Sequence, residues 1–179
     1  MKKSLLFWQL LGFIFTGVTG VILHFLFGWT NQSAVVAPFS AVNESIWEHT
    51  KLLYFPILVF AVIENLYIGK FYKSFWCVKL TGIVLGVLLI PVLYYTVNGA
   101  FGKTADFVNI VIFYVTAAIC FIAETFLFNK SAINCKSPKK AQVVLALIAL
   151  VFVVFTFLPP KIPLFKDPVT NTYGYFQTT

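Results

Sequence analysis

Long apolar runs alternate with short polar stretches along the chain, and this pattern predicts five membrane-spanning helices. The runs are continuous, whereas the strands of a membrane barrel alternate between apolar and polar positions, so helices are favoured. We therefore expect an all-α integral membrane protein, with residues 1–179 forming one transmembrane domain built as a bundle of five helices. The predicted spans are 5–27, 46–68, 80–97, 107–128 and 141–158, followed by an external tail over 159–179.

Charge is scarce and lies mostly between the apolar runs. Hydrophobic residues make up 60% of the 179 and charged residues 11%, whereas a soluble domain typically has about a quarter charged. The formal charge of +7 comes from thirteen lysines and no arginine against six carboxylates. The distribution predicts a cytoplasmic N-terminus, an external C-terminus and the lipid bilayer as partner, with no nucleic acid. Nine lysines then lie on the inner side (Lys2, Lys3, Lys70, Lys73, Lys79, Lys130, Lys136, Lys139, Lys140) and four outside (Lys51, Lys103, Lys161, Lys166).

Local signals mark the second and third spans. Ser45 and Glu48 fit a capping box, with Ser45 as N-cap and Glu48 bonding back to it, and Gly69 is a natural helix stop. Pro56 should kink the second helix. The Gly82-x-x-x-Gly86 spacing predicts a close-packing face on the third helix, and residues 98–106 read as a short external loop.

The first span carries a stripe of small and polar residues. Gly12, Thr16, Gly20 and His24 recur every four positions, so they share one helix face on which another helix can approach closely. His24 is therefore expected to point into the bundle near the outer leaflet. Two interpretations stay open: a histidine bonded to a neighbouring helix, or a ligand or proton carrier.

The polar block at residues 38–51, with its two carboxylates and one histidine, is the strongest candidate for chemistry. A carboxylate and two imidazoles suit zinc or another divalent metal, with His24, Glu44 and His49 as ligands and Glu48 as catalytic base. Neither H-E-x-x-H nor Glu-x-x-His is present, so the spacing alone does not define a metal site. Structural roles compete: Glu48 can cap the helix or pair with Lys51, and Glu44 can lie favourably near a helix N-terminus. The other predicted ligand-binding residues are Asn43, Ser45, Asp167 and Tyr173.

Two further carboxylates, Glu64 and Glu124, lie near the inner ends of their spans. A carboxylate at that depth needs a partner or a proton, and Lys70, Lys73 or Lys79 is within reach of a snorkelling side chain. The pair reads either as structural ion pairing between helices or as the inner end of a proton or cation path.

Three cysteines show no C-x-x-C spacing. Cys77 and Cys135 fall in predicted cytoplasmic loops and Cys120 falls within a span, so reduced thiols are expected at all three.

Two segments together resemble a family of small bacterial, mostly Firmicute, integral membrane proteins of unknown function. The first is Phe39-Ser-Ala-Val-Asn-Glu-Ser-Ile-Trp-Glu-His49, and the second is the tail pattern Pro-Leu-Phe-x-Asp-Pro-x-Thr-x-x-Tyr-Gly at residues 163–174. The resemblance covers the whole chain and implies the bacterial plasma membrane, without implying an activity. Asn171 departs from the pattern, which prefers glycine there.

Three function classes remain open at this stage. The first is an outer-leaflet pocket that binds a metal, a lipid or a small molecule, which in enzyme form would be a metal-assisted hydrolase of lipid-linked or amphiphilic substrates. The second is a small proton- or cation-coupled transporter that uses Glu64 and Glu124, expected as a homodimer because five helices enclose little volume. The third is an interaction or sensory protein without chemistry.

Overall fold

The computed structural model describes residues 2–102 and 105–175, with Lys2, Lys3 and Asp106 described by their backbone only. Five α-helices in these residues are long and apolar enough to cross a membrane. The predicted external Lys103 lies outside the described residues. The helices are α1 (Lys2–Trp29), α2 (Ile46–Ile68), α3 (Phe75–Phe101), α4 (Asp106–Lys130) and α5 (Pro138–Phe157), with short 3-10 helices at Gly69–Phe71 and Pro163–Phe165.

Helix α2 is the centre of the bundle, since it contacts each of the other four helices. Its residues supply much of the buried core, including Leu53, Tyr54 and Ile57. The outer faces of α1, α3, α4 and α5 expose large apolar side chains, among them Phe7, Leu88, Ile122 and Leu147. This surface suits hydrocarbon and would be an exceptionally large apolar patch in water.

The predicted small-residue faces are confirmed as the places where helices approach closely. A Cβ built at Gly12 would lie 2.6 Å from ring atoms of Phe60 on α2 and Phe121 on α4. A Cβ at Gly20 would lie 3.3 Å from the carbonyl oxygen of Leu52. That carbonyl is the group that Pro56 leaves without its usual helical donor, because proline has no N–H.

The space beside the two glycines of α3 is likewise occupied by side chains of neighbouring helices. Gly82 faces the side chain of Glu124, and Gly86 faces Leu53 and the sulfur of Cys120. The spacing therefore allows α2 and α4 to pack directly against the α3 backbone.

The predicted bounds of α2 are confirmed, but the capping box is only half formed. Ser45 is the N-cap, and its Oγ accepts the backbone N–H of Glu48 at 3.4 Å. The carboxylate of Glu48 accepts from Val42 N at 3.0 Å, while Ser45 N donates to Asn43 Oδ1 at 2.9 Å. Glu48 does not bond back to Ser45 because its side chain is also paired with Lys51, at 2.5 Å.

Helix α3 is longer than the predicted span, so two predictions about its flanks are wrong. It begins at Phe75, which places Lys79 inside the helix and fully buried. It ends at Phe101, where residues 98–106 were predicted to form a loop, and Asn98 Nδ2 bonds the carbonyl of Tyr94 at 2.9 Å within the helix. The apolar pattern did not predict a buried Lys79 because the charge is balanced by residues distant in the chain, Glu64 and Glu124. The ends of α1, α4 and α5 differ from the predicted spans by fewer residues than those of α3.

The expectation of reduced thiols is wrong for Cys77 and Cys135, which form a disulfide with a Cα–Cα distance of 5.8 Å. The early start of α3 brings Cys77 to the α4–α5 loop, where Ser74 Oγ also bonds Ile133 O at 2.5 Å. Sequence spacing could not show this pairing, since 58 residues separate the two cysteines. Cys120 is free and buried, as expected.

Candidate functional site

The connection between α1 and α2 is attached to the backbone of α1 through Ser40. Its Oγ accepts from Phe27 N at 2.9 Å and donates to Leu23 O at 2.5 Å, two groups that would bond each other in an uninterrupted helix. Ala41 N also bonds Leu23 O, at 3.3 Å. This insertion fixes the polar block next to His24, which lies one residue after Leu23.

His24, Glu44 and His49 come together at this end of the bundle, and we call them the histidine cluster. Glu44 Oε1 lies 3.7 Å from His24 Nε2, and Glu44 Oε2 lies 3.5 Å from His49 Nε2. One ligand atom from each residue lies within 4.8 Å of the others. The side chains are 27%, 49% and 25% exposed respectively, so the cluster is open to small solutes.

The separations are long for hydrogen bonds and close to those between ligands of one metal ion. A direct N–H···O bond spans about 2.7–3.2 Å. Two ligand atoms each about 2.1 Å from zinc are about 3.4 Å apart at a tetrahedral angle and at most about 4.2 Å apart. The carboxylate–imidazole separations of 3.7 and 3.5 Å fall in that range, and the widest pair, within 4.8 Å, would need to close by at most about 1.4 Å to reach the tetrahedral separation.

The orientation of His49 is fixed by its own helix. Its Nδ1 lies 2.9 Å from the carbonyl oxygen of Ser45. Because a carbonyl only accepts, Nδ1 carries the proton, and in the neutral ring the lone pair of Nε2 points toward Glu44. A lone pair facing a carboxylate is unfavourable unless a cation, either a proton or a metal ion, lies between them. Backbone fixing of the second imidazole nitrogen is common among metal-binding histidines.

Two cavities, of about 180 Å³ and about 450 Å³, adjoin the histidine cluster. Both are lined by Glu44, His49, Asn109 and Phe113, and the larger is also lined by His24. Most other lining residues are apolar, such as Val21, Phe25, Ile110 and Ile112. The cluster is therefore the polar centre of a mainly apolar hollow between α1, α2, α3 and α4.

Asn109 is a site residue that sequence reasoning missed. Its Oδ1 is buried and has no hydrogen-bond partner among the described residues. The Nδ1 of His24 is in the same situation. A buried acceptor without a donor is uncommon in proteins. A signal was present, since Asn109 is the only amide in the apolar run of α4 before Asn129, but nothing in the sequence connected it with His24.

The predicted ligand-binding residues of the tail, Asp167 and Tyr173, bond to other residues of the tail. Asp167 is buried, and its carboxylate accepts from Val169 N at 2.8 Å and from Thr170 Oγ1 at 2.7 Å. Tyr173 pairs with Lys166 in an antiparallel bridge. Neither Asp167 nor Tyr173 is among the described residues that line the two cavities. The tail does reach the site, because Pro168 and Val169 line the smaller cavity.

The remaining predicted residues of the block have structural partners. Asn43 Nδ2 donates to Gly174 O at 3.0 Å, which ties the block to the tail. Ser45 caps α2, and Glu48 is buried against Lys51, whose Nζ also bonds Ala37 O and Thr156 Oγ1, each at 2.9 Å. Lys51 was expected at the external surface and is instead fully buried. Glu48 does not line either cavity, so the geometry gives no support to its predicted role as a catalytic base.

Glu64 and Glu124 are joined by one lysine. Lys79 Nζ lies 2.5 Å from Glu64 Oε2 and 2.6 Å from Glu124 Oε2, and Gln9 Nε2 donates to Glu64 Oε1 at 2.9 Å. The charged side chains are completely buried and Gln9 is nearly so. We call these four residues, one from each of α1 to α4, the Lys79 cluster.

Together, the helices and the surface define a small all-helical protein of a kind compatible with a membrane, with a polar site at one end of the bundle. The chain belongs to a family of unknown function, DUF6512, which matches residues 1–175. This confirms the predicted membership of a small uncharacterised family. No curated protein and no solved structure is significantly similar to the chain.

Proposed function

We propose that this protein is a multi-pass protein of the bacterial plasma membrane that binds a divalent transition metal, zinc above all, at the histidine cluster. The observation that supports this most directly is the convergence of His24, Glu44 and His49, with ligand atoms within 4.8 Å. Two histidines and one glutamate form a ligand set known from catalytic zinc sites, in which a fourth position stays open. In the proposed orientation the N-terminus is cytoplasmic and the site faces outward.

The two cavities are where the fourth ligand would bind. Their apolar walls suit an acyl or isoprenyl chain, and the metal and Asn109 would hold a polar head group. The finer proposal is a metal-assisted hydrolase that acts on lipid-linked or amphiphilic substrates. A bound zinc lowers the pKa of a coordinated water to about 7 and polarises a carbonyl or phosphoryl oxygen, so it does not require Glu48 as a separate base.

Metal binding is tested by elemental analysis of the detergent-purified protein after removal of any histidine tag and equilibration with zinc. We expect about one zinc per chain, and a loss of affinity of at least about 100-fold in His24→Ala, His49→Ala and Glu44→Gln, because ligand loss should exceed the 10–100-fold typical of outer-shell changes. Lys139→Ala, at an exposed position, is the matched control. Equal zinc in wild type and His49→Ala would refute the proposed site.

Hydrolysis is tested separately with alkyl-chain esters and phosphoesters in mixed micelles. Zinc-loaded wild type is expected to turn over at least one class, with activity lost after chelation and in Glu44→Gln. Stoichiometric zinc without turnover of any such substrate would remove the hydrolase proposal and leave a binding protein. The transporter and interaction hypotheses stay predictions.

A further inference from the structure

The Lys79 cluster carries unequal charge. Two carboxylates and one ammonium sum to −1 when all three are ionised, and all three side chains are completely buried. The other titratable groups near them are the Tyr72 hydroxyl, beside Glu64, and the Cys120 thiol, beside Glu124 and Lys79. Neither supplies a positive charge. A net charge in such surroundings is costly, and one added proton removes it.

The hydrogen bonds show where that proton is needed. Glu64 Oε1 accepts from Gln9, whereas Glu64 Oε2 forms an ion pair with Lys79 but no hydrogen bond among the described residues. Glu124 accepts from Lys79 at Oε2 only, and its Oε1 is buried without a partner among the described residues. Gln9 Oε1 is a second buried acceptor without a donor. Three buried acceptors of the cluster therefore lack a hydrogen bond among the described residues, and of the two carboxylate oxygens Glu124 Oε1 also lacks an ion-pair contact. The cluster is short of a donor proton.

The aromatic rings of Phe75 and Phe121 and the backbone of α3 separate the Lys79 cluster from solvent. Lys79 Nζ lies 5.8 Å from the ring centre of Phe75 and 5.4 Å from that of Phe121. A Cβ at Gly82 would lie 2.3 Å from Glu124 Oε1, so the glycine provides the space that this carboxyl group occupies. The packing leaves the carboxyl group near α3 and away from bulk solvent.

We propose that the Lys79 cluster is a proton-binding site that holds one exchangeable proton, shared between Glu64 and Glu124. The proton comes from solvent and converts one carboxylate to a carboxylic acid, with Glu124 Oε1 as the position that most lacks a hydrogen. Lys79 stays charged and holds the two groups together. The site is separate from the histidine cluster and independent of metal binding.

Infrared difference spectroscopy of the purified protein in heavy water tests this site. Wild type is expected to show a buried carboxylic C=O band near neutral pH that disappears as pH rises. Glu64→Gln and Glu124→Gln should each abolish the band, because one carboxylate alone balances Lys79 and no proton is needed. Glu44→Gln, in the exposed part of the histidine cluster, is the control and should keep it. No band in wild type, or a band that survives in either cluster variant, would overturn the shared proton.

Stability gives a second readout that also separates this proposal from two ordinary salt bridges. Each single glutamine variant is expected to unfold close to the wild-type midpoint, since each leaves a balanced ion pair. The double variant Glu64→Gln/Glu124→Gln isolates Lys79 and should be strongly destabilised at low and neutral pH. A large destabilisation in both single variants would instead indicate two obligatory salt bridges, and would contradict the shared proton.

Discussion

The Nδ1 proton of His49 is bonded to the carbonyl oxygen of Ser45, one helical turn earlier, at 2.9 Å. The same carbonyl also accepts the backbone N–H of His49 at 3.2 Å, so the N-cap residue of α2 both begins the helical hydrogen bonds and selects the imidazole tautomer. The Nε2 atom is then directed at Glu44. The orientation of the proposed ligand thus depends on where α2 begins.

Metal affinity is expected to fall as pH decreases. Both imidazoles must be neutral to coordinate, so a proton on either ring competes with the metal. Where both rings are protonated, affinity should drop by up to about 100-fold per pH unit. Calorimetric zinc titrations at about pH 7.5 and about pH 5.5 measure this. An affinity that does not change over this interval would argue against imidazole ligation.

Alanine at Gly82 is expected to destabilise the bundle by about 1–3 kcal/mol, because the new Cβ would overlap Glu124. Gly99→Ala is the matched control on the same helix, since a Cβ there meets nothing within 4 Å. Alanine at that control position should be neutral or slightly stabilising. Unfolding in mixed micelles compares the two. Equal effects would mean that α3 does not pack on α4 as described.

Asn43→Asp is expected to loosen the tail while leaving the start of α2 intact. Aspartate keeps the oxygen that accepts from Ser45 N but loses the donor to Gly174 O. It also places a negative oxygen against a carbonyl. Hydrogen exchange over residues 163–175 should become faster, with that of α2 unchanged. Unchanged protection of the tail would show that other contacts, such as Phe165 against Trp47, are sufficient to hold it.

Reduction of the Cys77–Cys135 bond is expected to lower the free energy of unfolding by about 2–4 kcal/mol, because the bond closes a long loop between α3 and the segment before α5. Reductant should have no effect on the variant with serine at both positions. If reductant lowered the free energy of unfolding equally in that variant, the destabilisation would come from another group and not from this disulfide. Reduction of intact cells followed by labelling with a membrane-impermeant thiol reagent would also report on which side of the membrane Cys77 and Cys135 lie.

Much of the architecture was readable from the sequence because it depends on local patterns. The apolar runs, the Ser45 cap and the glycine stripe of α1 depend on period and neighbours, and the structure bears them out. The sequence placed His24, Glu44 and His49 near the same end of α1 and α2 but left open whether they meet, and the structure brings them together.

Most of the features that sequence reasoning missed depend on partners distant in the chain. Lys79 looked like a loop lysine because its two carboxylates come from α2 and α4. Asn109 lies beside the histidine cluster because α4 packs against α1. Asp167 offered the right chemistry for a ligand, but its own turn uses both oxygens. The preference for glycine at position 171 has a local reason, since Asn171 has a φ of 60° in this turn.

The placement of Lys79 has a consequence for how the chain is assembled during synthesis. A lysine at the middle of an isolated helix opposes insertion by about 2.5–3.5 kcal/mol, and Lys79, in the second turn of α3, opposes it by less. Because α2 leaves the ribosome before α3, Glu64 is available as a counter-charge when Lys79 reaches the membrane, whereas Glu124 arrives later. Helix α2 should therefore wait at the insertion machinery for α3, and α4 should complete the unit.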